Sequence, residues 1–175
     1  IHYGTSFFYP ISTFGAHVSV CPNHQTGRTT SLRTRGTVAG SGTFGYELDL
    51  GHMDDEEKKA ATAQIVQFKA AEGLVQTGDY YRLSAPGDRS NSVFWEFVSK
   101  DKKDVLVSGV VLRSEVNPPV HFLRFRGLMS DKLYREKESG ETYLGIVLMK
   151  AGLAVPVTSE DYEAVAYRFE VVEKG

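Results

Sequence analysis

Between Ala16 and Arg28 the chain reads AHVSVCPNHQTGR, which gathers two imidazoles (His17 and His24), the amides of Asn23 and Gln25, and the Arg28 guanidinium into one short segment. Side chains of these types each donate or accept several hydrogen bonds, so a loop built from them can hold a ligand. Pro22 and Gly27 make the segment rich in turns, and apolar, aromatic stretches flank it: YGTSFFYPISTFG before, TFGYELDL after. A polar loop carried between buried elements is a candidate binding rim. A plainer role stands beside that one, in which the loop's side chains satisfy backbone groups and fix the turn.

The remaining reactive groups read as structural. Cys21 is the only cysteine, so it has no intrachain disulfide partner and no neighbours to complete a zinc site. Its sequence shows no convincing activated pairing, and a lone thiol of this kind fits a reducing, cytoplasmic compartment. His17 lies among apolar neighbours and is read as a hydrogen-bonded structural histidine rather than a catalytic or metal-binding one. No metal and no cofactor are expected.

The elements that position the loop are legible in part. The clearest is a helix from Asp54 to about Leu74: Asp54 and Glu57 stand in capping-box spacing, and four acidic residues crowd the positive end of the helix dipole. Ala61, Ile65 and Phe68 follow at helical spacing and predict a buried stripe. Upstream, Thr43 to Leu50, bounded by Gly42 and Gly51, fits a buried strand, and strand followed by packed helix signals α/β structure. Beyond Gly78 the pattern becomes short β-forming runs: Tyr80 to Leu83, Ser92 to Val98, Val105 to Arg113, Val120 to Arg126 and Ala164 to Val172. SKDKKD joins the second and third as a hairpin would. In the last run Val165, Tyr167, Phe169 and Val171 alternate with Ala166, Arg168 and Glu170, which predicts one buried and one wet face. Pro118 and Pro119 mark a loop, since neither can donate to a ladder.

These signals divide the chain into residues 1–77, the end of an α/β domain, and 78–175, a small antiparallel sandwich. The 175 residues carry 20 basic and 22 acidic side chains without a basic stripe, which argues against nucleic acid and anionic membranes as partners. No apolar run reaches the roughly 18 residues of a transmembrane helix. One strand with one or two helices cannot close a parallel sheet, which needs both faces covered, so the chain reads as a fragment of a larger protein.

Taken together, YGTSFFYPIS, GAHVSVCPNHQTGR, TRGTVAGSGTFGYELDL, the acid-capped helix and GDYYRL resemble the carboxy-terminal quarter of bacterial α-galactosidases of glycoside hydrolase family 36. The resemblance is strong from Ile1 to about Arg126 and continues more weakly through LMKAGLAVP; it departs from the family pattern near Leu144 to Leu148, where LGIVLM stands. It implies a large enzyme with a (β/α)₈ barrel and a carboxy-terminal β-sandwich, which hydrolyses terminal α-galactosyl residues of raffinose-type sugars with retention. The fold class expected of this chain is therefore α+β, the last strands and helices of the barrel followed by the antiparallel sandwich. The full-length protein is expected to be a homo-oligomer acting on galactosides.

Retention needs two carboxylates about 5 Å apart. In the family the nucleophile lies in a Lys-Trp-Asp motif and the acid/base in a Ser-Asp-Asp-Thr-Asp motif; neither occurs here, so this segment alone is expected to be inactive. Loops that follow barrel strands face the active site, which places Asn23, His24, Gln25 and Arg28 nearest the sugar. Glu47 and Asp49 flank Leu48 and would share a strand face, a less favoured carboxylate pair. Phe7, Phe8, Tyr9, Phe14, Phe44 and Tyr46 are dense enough to be core rather than sugar platforms. Arg124 and Arg126 are expected on a solvated face. Two non-catalytic alternatives are a carbohydrate-binding module, for which Trp95 and Tyr143 would be the exposed aromatics, and an oligomerisation domain.

Overall fold

A computed structural model describes residues 1–85 and 91–173. The elements run α1 (His2–Thr5), β1 (Val18–Ser19), α2 (Leu32–Ala39), β2 (Tyr46–Glu47), α3 (Asp55–Thr77), β3 (Asp79–Arg82), β4 (Ser92–Val98), β5 (Asp104–Val111), β6 (Phe122–Leu123), β7 (Leu133–Glu136), β8 (Thr142–Leu144), α4 (Gly145–Lys150), β9 (Leu153–Ala154) and β10 (Glu163–Val171). Strands β1 and β2 pair in parallel across α2, with Val18 opposite Tyr46 and Ser19 opposite Glu47. The larger sheet is antiparallel throughout, in the order β3-β4-β5-β10-β7-β8, and β6 with β9 forms a separate two-stranded ribbon.

Helix α3 begins as its sequence dictates. Asp54 Oδ1 accepts the Glu57 N–H at 2.8 Å while the Glu57 carboxylate accepts the Asp54 N–H at 3.3 Å. Its buried stripe runs through Ala61, Ala71, Leu74 and Val75; Ile65, expected on it, is 38% exposed. The helix meets α2 through Gln64, whose amide donates to Leu32 O at 2.9 Å and accepts from Tyr46 Oη at 2.7 Å.

The centre of the large sheet is covered on both faces, because β4 and β5 alternate apolar residues on each. Phe94, Val98, Val105 and Val107 join Val165 and Phe169 of β10 beneath Leu123, Phe125, Leu128 and Leu148. Trp95, Phe97 and Val110 face the other way, onto Leu74 and Val75 of α3 with Ile11 and Phe14. The second core thus straddles the expected boundary at Thr77 to Asp79. A third cluster, Ala16, Val18 and Ala39, lies between β1 and α2.

Several expected elements differ. Thr43 to Leu50 contributes only Tyr46–Glu47 as strand, and neither residue is buried: Phe44 adopts φ +43, outside the strand region, and the Asp49 side chain caps a 3₁₀ turn at Leu50–His52. Val120 to Arg126 shortens to Phe122–Leu123 because its later N–H groups go elsewhere, Phe125 to Leu148 O and Arg126 to the Glu96 carboxylate. Strands β7, β8 and β9 and helices α1, α2 and α4 were without a clear sequence signal; LGIVLM holds the N-cap of α4 and all but its last residue. Phe7, Phe8 and Tyr9, expected in the core, are exposed, Phe8 by 83%. They follow α1 on a turn where Tyr3 meets Phe7 edge-on and the Arg82 guanidinium lies over the Phe7 ring. Phe14 is buried as expected, and Arg124 and Arg126 are exposed. Among the described residues no helix is long and apolar enough to cross a membrane.

Candidate functional site

Parallel pairing sends β1 and β2 out of the same edge of their sheet, into residues 20–31 after the first and 48–54 after the second. The polar loop therefore leaves from a carboxyl edge, the position from which α/β folds build their sites. Its base is tethered at both ends. Arg35 Nη1 of α2 donates to Ser19 O at 2.6 Å, and the Cys21 thiol donates to Thr30 O at 3.5 Å. Arg35 Nε is buried without a partner among the described residues.

Within the loop, Asn23 is the organiser. Its Oδ1 accepts the N–H groups of Gln25 (3.1 Å) and Thr26 (3.0 Å) and the Thr26 hydroxyl (3.0 Å). Its own N–H donates to Arg28 O at 2.9 Å, and its carbonyl accepts from Gly27 at 2.8 Å. Gly27 sits at φ +66, a left-handed conformation that glycine adopts freely. Arg28 lies with Cζ 4.6 Å from the centroid of the Tyr162 ring, which arrives from the turn before β10. His24 and Gln25 are exposed, and their side chains make no hydrogen bond among the described residues. Of the four residues expected to face a ligand, Asn23 and Arg28 are engaged in holding the loop, while His24 and Gln25 are free to meet one.

The carboxylates at this edge have separate partners. Glu47 faces the exposed His17 at 3.4 Å, and Asp49 accepts the Gly51 N–H at 2.8 Å and lies 3.7 Å from His52. The two do not act as a pair on one strand face, since β2 ends at Glu47 and Asp49 belongs to the following turn. His17, whose sequence neighbours are apolar, points to solvent rather than into the core. The buried carboxylates lie elsewhere. Glu96, fully buried on β4, accepts the Arg126 N–H, and burial pushes its carboxyl up to about 8 against the pull of that donor. Glu136 on β7 is also buried, which raises its value, but the N–H groups of Ser139 (2.6 Å) and Glu138 (3.1 Å) outweigh burial and hold it below the ordinary carboxylate value. Among the described residues no group of three or more His, Cys, Asp or Glu is placed to hold a metal.

Trp95 and Tyr143, the two aromatics singled out for a carbohydrate-binding module, are not open platforms. Trp95 is only 6% exposed, because its strand face packs on α3 and its indole N–H donates to Ser41 Oγ. Tyr143 is half-buried against Phe169, and its hydroxyl bonds to Glu141. Tyr162 and Arg35 are the supporting residues that spacing did not reveal. Each meets the loop only through the fold, and the turn residues around Asp161 are the sole local hint for the first.

Comparison with known proteins places this geometry. The family profile described as Melibiase matches residues 1–78, and that of the Glycosyl hydrolase family 36 C-terminal domain matches residues 92–169. The chain is 48% identical to the bifunctional alpha-galactosidase/sucrose kinase AgaSK of Mediterraneibacter gnavus, over 100% of this chain and 19% of that protein. It is 45% identical to alpha-galactosidase AgaA of Geobacillus stearothermophilus, over 99% of this chain and 24% of that one. The chain thus spans 19% to 24% of the length of these relatives. Among solved structures, a variant of AgaA in complex with raffinose superposes with a TM-score of 0.93 at 44% identity, over 97% of this chain and 23% of the other. The alpha-galactosidase from Lactobacillus brevis gives 0.94 at 35% identity, over 99% and 24%. The chain belongs to glycoside hydrolase family 36 and corresponds to a carboxy-terminal part of its α-galactosidases.

Proposed function

We propose that this chain closes the (β/α)₈ barrel of an α-galactosidase with residues 1–77 and supplies its carboxy-terminal β-sandwich with residues 78–175. The full-length protein then hydrolyses terminal α-galactosyl residues of raffinose-type oligosaccharides with retention, as a cytoplasmic homo-oligomer. The observation that carries this reading is the parallel β1-α2-β2 unit with a polar, internally braced loop at its carboxyl edge, within a chain matched from end to end by α-galactosidases. In a barrel that edge is the catalytic face.

The division of labour follows from chemistry. Retaining hydrolysis uses one carboxylate to attack the anomeric carbon and a second, about 5 Å away, to protonate the leaving oxygen and then activate water. Neither of the family's two carboxylate motifs occurs in this chain, and Glu47 and Asp49, the carboxylates beside the loop, have other partners; on this reading the chain contributes the pocket wall and not the bond-breaking pair. His24 and Gln25 offer a ring nitrogen and an amide to sugar hydroxyls from a loop that Asn23 preorganises, which limits the ordering cost of binding. The test is proton NMR of raffinose hydrolysis by the full-length protein: α-galactose released first supports retention, whereas β-galactose first, or no release, contradicts the reading.

A further inference from the structure

We infer that Tyr162 is a positioning residue for the sugar-facing rim: its ring docks Arg28 and fixes the 23–28 turn, so that the carboxy-terminal half helps set how tightly substrate is held. The inference rests on the reading of the chain as part of an α-galactosidase. Arg28 Cζ lies 4.6 Å from the Tyr162 ring centroid, in cation–π contact, and has no carboxylate partner among the described residues. Arg28 is in turn bonded into the loop, its carbonyl accepting from Asn23, whose side chain braces Gln25 and Thr26. A ring that holds Arg28 therefore holds the segment that presents His24 and Gln25.

Tyr162 is itself set with unusual firmness. Its φ is +58, a conformation that bulky L-residues rarely adopt. Such geometry persists only where the surroundings over-determine it. Here its carbonyl accepts the Thr34 hydroxyl at 2.8 Å, and the same Thr34 oxygen accepts the Ala164 N–H at 3.1 Å. On the preceding side Asp161 accepts the Ser114 N–H at 2.8 Å. The ring packs beside the core of Trp95, Phe97 and Val110. One residue of α2 thus fixes the backbone of a turn whose side chain reaches back to the loop between β1 and α2. The contact acts before substrate arrives and equally on ground and transition states, so its loss is expected in KM and not in kcat.

The experiment has two readouts. In the full-length protein, Tyr162→Ala is expected to raise KM for raffinose about two- to fivefold with kcat changed by less than about twofold, while Tyr162→Phe, which keeps the ring face, restores the original KM. In the same full-length protein, trypsin cleavage after Arg28 is expected to accelerate by a similar factor in Tyr162→Ala and not in Tyr162→Phe. Should Tyr162→Ala fail to fold, Tyr162→Leu, which retains apolar packing without a π face, carries both measurements. Unchanged KM, or unchanged cleavage at Arg28, overturns the inference. A full-length protein that protects Arg28 through Tyr162 but leaves raffinose intact contradicts the functional reading instead.

Discussion

The Trp95 indole N–H donates to the Ser41 hydroxyl at 2.6 Å, a buried bond between residues 54 positions apart that joins the turn after α2 to the large sheet. Both residues are nearly inaccessible, so no water can replace the acceptor if it is removed. Ser41→Ala is expected to cost about 1–3 kcal/mol, the penalty of a buried donor left unpaired. A urea titration followed by Trp95 fluorescence measures it; an unchanged midpoint would show that the indole does not depend on this acceptor.

Glu96 makes stability fall as pH rises through the neutral range. Folded, its carboxyl titrates at about 8, against an ordinary value of 4.5. The folded protein therefore keeps a proton that the unfolded chain releases above 4.5, and wild-type stability is lost between about pH 4.5 and 8. The slope is about 1.4 kcal/mol per pH unit within that window. Glu96→Gln keeps an acceptor for the Arg126 N–H and has no proton to lose, so its advantage over wild type is expected to grow from pH 5 to pH 8. Denaturant midpoints of the two proteins at several pH values check this, and a constant difference would contradict it.

Gly109 stands opposite Phe94 in the β4–β5 pairing, and a Cβ there would lie 2.1 Å from Phe94 Cδ1. Phe94 is fully buried and has nowhere to retreat. Gly109→Ala is expected to destabilise by about 1–3 kcal/mol, the usual penalty for overpacking, despite the gain in strand propensity. Thermal unfolding of the variant tests it.

The capping box of α3 gives a smaller and more local effect. Asp54→Ala removes the acceptor for the Glu57 N–H and is expected to cost about 1 kcal/mol, whereas Asp54→Ser retains most of it. Equal losses in the two variants would show that charge at the helix start, and not the cap hydrogen bond, carries the stabilisation.

The features legible in the sequence are those with short-range causes. Asp54 and Glu57 announced α3, and the β-forming run of β4 and the apolar alternation of β10 gave both strands to within a residue, because caps and pleats are local. The hairpin of β7 and β8 was hidden because its inward residues include Glu136, a carboxylate satisfied by its own turn and therefore buried against expectation. Helix α4 was hidden because Gly145 and two β-branched residues precede its buried Leu148; the glycine is required where any Cβ would meet Met129 O at 2.0 Å. At the site, the loop was recognisable from its polar composition, and the bracing by Asn23 was one of two roles open to it. The dock of Arg28 on Tyr162 was not legible, since long-range contacts such as the Thr34 link between α2 and the turn before β10 bring those residues together.

The central claim is that this chain is scaffold and pocket wall, with the two bond-breaking carboxylates outside it. Its most direct test is hydrolysis of an aryl α-galactoside by the purified chain, with cooperative thermal unfolding recorded on the same sample. The account predicts a folded protein that releases no phenol above the buffer blank. Turnover that Glu47→Gln or Asp49→Asn abolishes would contradict it.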